Sequence, residues 1–256
     1  MKAAMDYSVV AHLYDAYVKT DFDVPFFLKE TSGRGNVLEL MAGTGRLSIP
    51  LLEAGVALTC VDSSKDMLAI LREKLKHSGL SAIVHEMDVC DLTLSETYDL
   101  IILPFNSFSE IVNQTDQRKA LAGIRYHLSE NGRFICTLHN PPVRLESVTG
   151  EKRQYGEYPL PDTSDILRLS AVETYDADNH TVTARQFYEI YDHNGVIRSD
   201  IFVTIQFYLH HKKDFETLVR SEGFYILDLF GDYSYAPYDP DTSPFMIWIL
   251  GKNELS

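Results

Sequence analysis

The stretch that most constrains the fold is 37–62, VLELMAGTGRLSIPLLEAGVALTCVD. Residues 37–40 are strand-compatible, Ala42-Gly43-Thr44-Gly45 reads as a tight turn, and Leu47, Ile49, Leu51 and Leu52 form a helical apolar face that Gly55 stops. A second strand over 57–61 then delivers Asp62 at its carboxyl end. Strand, glycine turn, helix and strand, with an acid about twenty residues past the turn, form a βαβ half-unit suited to a nucleoside.

The residues around the glycines select among nucleosides. A dinucleotide turn has three glycines as G-x-G-x-x-G, so that backbone and helix N-terminus approach a pyrophosphate. Here Gly43 and Gly45 fit, but the third position is Ser48. Glu39, four residues before Gly43, would repel a pyrophosphate and attract an ammonium or a sulfonium. S-adenosylmethionine carries both cations and no phosphate. Glycine at 43 and 45 allows the main chain to lie close to it, and Asp62 suits its ribose hydroxyls.

E-L-M-A-G-T-G-R followed by C-V-D resembles the cofactor-binding core of the class I methyltransferases. The resemblance implies an α/β fold: a Rossmann-like sheet binding S-adenosylmethionine through Glu39, Ala42, Gly43, Gly45, Asp62, Ser63 and Met67. Two later stretches extend it. Asp88-Val89 stands where the family holds the adenine, and Tyr98-Asp99-Leu100-Ile101-Ile102-Leu103-Pro104-Phe105 resembles the fourth strand, with Pro104 at the end that faces the reacting methyl. The likeness spans roughly 10–140 and the last forty residues, and rests on several ordered motifs rather than a lone G-x-G.

With 256 residues, 45% of them hydrophobic and 23% charged, the chain fits one soluble domain with an insertion. It shows no apolar run of membrane-spanning length and no signal-peptide pattern, so a cytoplasmic protein without a membrane partner is expected. Cys60, Cys90 and Cys136 lie in or beside predicted strands and read as buried small hydrophobes. His210 and His211 are adjacent, would point to opposite faces of a strand, and suggest no metal site. A net charge of −14 with scattered Lys and Arg disfavours nucleic acid and favours a small neutral or cationic acceptor.

Along the chain, 6–30 reads as one or two helices; Tyr14-Asp15 resembles a family pair whose tyrosine reaches the active site. Helices are predicted over 66–77, 117–128 and 213–221, and strands over 81–86, 100–103, 133–138, 225–230 and 246–250. Strands alternating with helices imply a parallel sheet. From about residue 141 the pattern changes. Alternating segments 166–175, 181–191 and 196–210, with the turn Asp192-His193-Asn194-Gly195, predict an antiparallel insertion after the fifth strand. The expected division is therefore 1–140 with 211–256 as the cofactor-binding core, and 141–210 as a roof over the acceptor. This layout resembles aminosugar N-methyltransferases and glycine N-methyltransferase-like enzymes.

Methyl transfer is an in-line displacement at a sulfonium, and positioning the acceptor can supply about 7–11 kcal/mol. A base matters where the acceptor is a protonated amine. Candidate catalytic residues are Glu110, beyond the fourth strand; His139, at the end of the fifth; and Tyr14. The aminosugar enzymes have histidine where this chain has Glu110. The solvated carboxylate at a helix start and the structural histidine are the plainer readings of the first two. The expected function is methyl transfer to nitrogen or oxygen of a small molecule, by a monomer or homodimer. An inactive S-adenosylmethionine-binding regulator and a nicotinamide oxidoreductase are the alternatives. The loop 231–241, with three tyrosines in six residues, is expected to line the acceptor pocket beside Tyr14 and Tyr188.

Overall fold

Three apolar runs form the centre of the molecule. Strands β1 (Asn36–Leu40), β2 (Ala57–Asp62) and β4 (Tyr98–Leu103) bury side chains on both faces, as parallel strands covered on both sides do. The computed structural model describes residues 7–161 and 163–253. In it these strands join β3 (Ile83–Glu86), β5 (Leu128–His139), β10 (Phe224–Phe230) and β11 (Phe245–Lys252). The sheet order is β10-β11-β5-β4-β1-β2-β3. Pairings among β1 to β5 are parallel, while β11 runs antiparallel to both β5 and β10. Chain order reverses between β4 and β1, so a ligand crevice is expected at the carboxyl ends of these two strands.

Helices α2 (Val24–Thr31), α3 (Ser48–Glu53) and α4 (Lys65–Ser78) cover one face. Phe26, Phe27, Leu51, Leu68 and Leu71 pack there on Val37, Cys60, Leu100 and Ile102. On the other face, α5 (Gln114–His127) and α7 (Lys212–Ser221) set Leu121, Ile124, Phe215 and Val219 against Leu38, Leu40, Ile101, Phe134 and Trp248. Helix α4 starts where Ser64 accepts the Met67 N–H and stops at Gly79 in the left-handed region (φ 64°). Helix α5 begins three residues before the predicted start, because Asn113 caps the N–H groups of Thr115 and Asp116. Strand β5 follows α5 directly and takes in Asn131 and Gly132.

A second, antiparallel sheet follows β5 in the chain, as expected, after the short helix α6 (Pro141–Leu145). It has four strands where three were predicted: β6 (Lys152–Pro159), β7 (Ile166–Asp176), β8 (Thr181–Tyr191) and β9 (Ile197–Tyr208). β6 is an edge strand with no buried residue, so it lacks the apolar alternation that reveals β7 and β8. The β8–β9 turn is the predicted one, with Asp192 accepting the Asn194 and Val196 N–H groups and Gly195 at φ 77°. This sheet does not bury its face alone. Leu167, Leu169 and Tyr188 pack on Val10, Leu13 and Ala16 of the N-terminal segment, whose helix α1 (Ala11–Tyr17) lies between the two sheets.

The loop 231–241 departs from expectation. Tyr233 packs on Phe22, Phe26 and Phe245 at ring-centre distances of 5.3, 5.6 and 5.2 Å. Tyr235 lies 4.9 Å from Phe26 beneath Lys29, and its hydroxyl donates to Glu30 at 2.9 Å. Tyr238 donates to the Asn140 Oδ1. Helix α2 presents aromatic surface at this flank of the sheet, which Tyr233 and Tyr235 cover while Tyr238 anchors on Asn140, and none of the three lines the cleft at the strand ends.

Candidate active site

The turn after β1 is shaped by its backbone. Met41 and Gly43 have positive φ (55° and 56°), and Gly45 follows at 85°. The Gly43 N–H donates to Asp62 Oδ2 and the Ser64 N–H to Asp62 Oδ1, both at 2.8 Å, so one carboxylate ties this turn to the end of β2. Burial raises the Asp62 pKa and the two N–H bonds oppose it. At Gly45 an added Cβ would stand 2.4 Å from Leu71 of α4, so this glycine answers to helix packing rather than to ligand approach. At Gly43 the space is open, with the nearest atom, of Met67, at 4.0 Å.

The N-terminal segment is bolted onto this turn by charge. Arg46 forms a bidentate pair with fully buried Asp23 (2.6 Å twice) and donates to the Thr20 carbonyl, while Thr44 donates to Asp15, which also pairs with Lys74 at 2.7 Å. Arg46 also lies over the Phe105 ring, 4.4 Å from its centre. These contacts bring Tyr7, Tyr14 and Tyr17 to the crevice above β1 and β4.

Between the segment and the strand ends lies a cleft of about 350 Å³. Its walls include Tyr7, Tyr14, Tyr17, Met41, Gly43, Asp62, Ser63, Met67, Phe105, Asn106, Glu110 and His139, and the second sheet adds Gln186, Ile205 and Phe207. A narrower cleft adjoins it, lined by Met87, Asp88, Val89 and Cys90, and shares Met41, Asp62, Ser63 and Glu110 with the first. Phe105 and Asn106 have positive φ (58° and 60°), like Met41 across the switch point. Strained non-glycine backbone therefore flanks the crevice on both strands. The Asn106 N–H is held by Thr137 Oγ1 at 3.1 Å, and its side-chain Oδ1 is buried without a protein partner.

Glu110 sits at the junction of the two clefts. Burial pushes its pKa up to about 7, partly opposed by the Tyr7 hydroxyl, which donates to Oε1 at 3.0 Å. His139 stacks against Phe245, and burial, with Arg144 adding, lowers its pKa to about 4, so the ring is neutral across the physiological range. Tyr7, Tyr14 and Tyr17 are held above their ordinary pKa by burial and remain hydroxyl donors.

Of the residues chosen from sequence, Tyr14, Gly43, Asp62, Ser63, Met67, Glu110 and His139 meet at the larger cleft, and Asp88 and Val89 at the smaller. Ala42, Gly45 and Pro104 stand behind the walls. Glu39 is 1% exposed and also behind them. Its carboxylate accepts the Ser48 hydroxyl at 2.6 Å, and burial raises its pKa to about 7. It faces α3 because alternation along β1 places it on the Val37 side of the sheet. Tyr188 is fully buried one layer out. Sequence reasoning missed Tyr7, Tyr17, Asn106, Gln186 and Phe207. Tyr17 lies within the helical stretch predicted over 6–30, whereas nothing in the local pattern of β8 or β9 marks Gln186 or Phe207.

Residues 37–132 match the family model described as a methyltransferase domain. Over 249 residues the chain is 29% identical to a glycine/sarcosine N-methyltransferase of Halorhodospira halochloris, covering 93% of this chain and 83% of that protein. Among solved structures, an S-adenosylmethionine-dependent methyltransferase from Clostridium acetobutylicum superposes with a TM-score of 0.81 at 19% identity, covering 96% of this chain and 99% of the other. The sugar N-methyltransferase KedS8 from Streptoalloteichus does so with a TM-score of 0.74 at 16% identity, covering 98% and 94%. At such identities the structural likenesses bear on fold alone. The matched methyltransferase domain supplies β1 to β4 and the crevice between β4 and β1, and the whole chain shares its fold with the superposed methyltransferases.

Proposed function

We propose that the chain transfers the methyl group of S-adenosylmethionine to a nitrogen of a small-molecule acceptor. The residues present suit that cofactor better than a dinucleotide. The charged groups among the described lining residues are Asp62, Glu110 and, in the narrower cleft, Asp88, and neither cleft is lined by lysine or arginine. A carboxylate-lined, aromatic cavity accepts a sulfonium and an ammonium and repels a pyrophosphate. Asp62 takes the ribose hydroxyls, Asp88 and Val89 take the adenine, and Glu39 supports the turn from behind. When bound, S-adenosylmethionine supplies an electrophilic methyl on sulfur.

The chain's own residues then position the acceptor and remove its proton. Nitrogen is favoured over oxygen by one observation, the carboxyl of Glu110 at the junction of the two clefts. That carboxyl is too weak a base for the hydroxyl of an alcohol, whereas the proton of an ammonium lies within its reach. An alkyl amine arrives protonated, and Glu110, with a pKa near 7, is matched to take that proton at neutral pH. His139 is a weaker base whose neutral ring leaves the wall without a repelling cation. The second sheet closes the acceptor side through Gln186, Ile205 and Phe207.

S-adenosylhomocysteine release measured across paired amines and alcohols tests the proposal. Turnover confined to amines is the expected result, and turnover confined to alcohols overturns the nitrogen assignment. Calorimetric titration of Asp62→Ala adds the cofactor test: S-adenosylmethionine binding weakens by about 1–3 kcal/mol, and wild-type affinity would remove Asp62 from the site.

A further inference from the structure

One side chain, Arg46, touches three parts of the site. It follows Gly45 in the turn after β1, and its guanidinium makes two bonds to fully buried Asp23, both at 2.6 Å. Nη1 also donates to the Thr20 carbonyl at 3.0 Å. Bonds in the plane of a guanidinium fix where the group sits. Held in this way, its central carbon lies over the Phe105 ring, 4.4 Å from the ring centre.

Phe105 needs such a hold. It and Asn106 are the central residues of a turn closed by the Ser107 N–H on the Pro104 carbonyl at 3.2 Å, and both have left-handed φ, 58° and 60°. Asparagine adopts that conformation readily, whereas a bulky side chain rarely does. Holds from outside the turn include Thr137 of β5, itself fully buried, which accepts the Asn106 N–H at 3.1 Å, and Arg46, which covers the Phe105 ring. The turn runs directly into the 3-10 helix Ser107–Glu110, and Phe105, Asn106, Ser107 and Glu110 all line the larger cleft. The turns after β1 and β4 are therefore joined by a direct side-chain contact as well as through the sheet.

The N-terminal segment has a second attachment that does not involve Arg46. Asp15 accepts the Thr44 hydroxyl at 2.7 Å and pairs with Lys74 at 2.7 Å. Weakening the contact on Phe105 leaves that attachment in place and isolates the effect on residues 105–107.

We infer that Arg46 is a positioning residue for methyl transfer: acting through Phe105, it holds the turn after β4 in register with the cofactor turn. The inference rests on the methyl-transfer reading above and is independent of the choice between nitrogen and oxygen. In-line displacement rewards such a hold, because a misplacement of about 1 Å can cost about a hundredfold in rate.

Amide hydrogen exchange on the full chain and S-adenosylhomocysteine release test it together. Arg46→Lys keeps a cation beside Asp23 but loses the planar fork, and Phe105→Leu keeps an apolar side chain but loses the ring. In each variant the Asn106 and Ser107 N–H groups should exchange at least tenfold faster. The Leu13 N–H in the N-terminal segment and the Ile135 N–H in the core should stay within threefold, which separates the effect from loss of the tether and from global destabilisation. The double variant should exchange no faster than the faster single one, since both substitutions remove one contact. With the amine or alcohol that the wild type uses fastest, kcat should fall at least tenfold in each variant, while S-adenosylmethionine affinity by calorimetric titration stays within threefold. Unchanged exchange at 106 and 107, or faster exchange confined to the N-terminal segment, would show Arg46 to be a tether only and overturn the inference. Additive effects in the double variant, or full kcat in Arg46→Lys, would overturn it as well. A wild type that releases no S-adenosylhomocysteine with any acceptor would overturn the methyl-transfer reading, and the exchange pattern would still decide whether Arg46 holds the turn.

Discussion

The donor side of the cleft draws its groups from one stretch of chain, 41–90, and several of them act through the backbone: the Gly43 and Ser64 N–H groups on Asp62 and the Cys90 N–H on Asp88. The acceptor side draws on the N-terminal segment, the turn after β4, the end of β5 and the second sheet, and works through side chains: Tyr14, Asn106, Glu110, His139, Gln186 and Phe207. A site made from contiguous backbone is specified by turn geometry and tolerates one ligand. Side chains delivered by separate elements can be exchanged without disturbing the sheet, so variation in acceptor belongs on that side.

The sharpest break of this comparison concerns the layer behind the acceptor wall. Tyr233 and Tyr235 cover aromatic surface of α2, Tyr235 also holds Glu30 and Tyr238 holds Asn140, and none of the three lines the cleft. Replacing all three by serine should cost about 3–5 kcal/mol of stability and lower the melting temperature by roughly 10 °C. The acceptor Michaelis constant should stay within twofold. A tenfold rise in that constant at unchanged melting temperature would move the loop into the acceptor wall.

On the donor side, the two glycines should separate. Gly45→Val places a branched side chain at φ 85° against Leu71, and should destabilise the fold by about 2–4 kcal/mol as read by denaturant unfolding. Gly43→Ala meets open space and bears only the left-handed backbone cost of about 1 kcal/mol, so its larger effect should fall on S-adenosylmethionine affinity. Equal unfolding losses would show the turn to be structural at both positions.

These glycines also show what local sequence reveals. The donor side was legible because strand, turn and acid lie within 26 residues, so spacing alone brings them together. Sequence did not reveal why each is there: Gly45 answers to Leu71, and Glu39 turned inward because strand alternation outranks its charge. The parallel sheet was legible from apolar runs, and three of the four roof strands from alternation. β6 was not, having no buried residue. Tyr7 and Glu110 are 103 residues apart and Tyr17 and Tyr188 are 171 apart, pairings that no local pattern encodes.

The proton-removal step offers a finer cut between acceptor-side groups. With the proposed base role on Glu110, which acts only when ionised, turnover of an amine should rise as pH passes through about 7 and level above it. Glu110→Gln should lower kcat by about 10² and abolish that limb. His139 is already neutral well below pH 6, so His139→Gln should lower kcat less and by a constant factor from pH 6 to 9. A limb near pH 7 that survives in Glu110→Gln would take the base role from this carboxyl.

The smallest expected effect lies where the two sides meet. Glu110 lines both clefts, and among the described residues the Tyr7 hydroxyl donates to it, which stabilises the charged carboxylate and so lowers a pKa that burial has raised. Removing that hydroxyl must push the pKa further up. Tyr7→Phe should therefore shift the rising limb of the kcat profile towards higher pH by roughly half to one unit, about 0.7–1.4 kcal/mol, while the plateau stays near the wild-type value. The ring remains, so packing against Tyr14 at 6.1 Å is retained. Tyr14→Phe provides the contrast: Tyr14 lines the cleft without a hydrogen bond to Glu110 among the described contacts, so its loss should change the acceptor Michaelis constant and leave the limb in place. A limb that moves with Tyr14 and not with Tyr7 would mean that the tyrosine setting the carboxyl's basicity sits deeper in the acceptor chamber than the junction of the clefts.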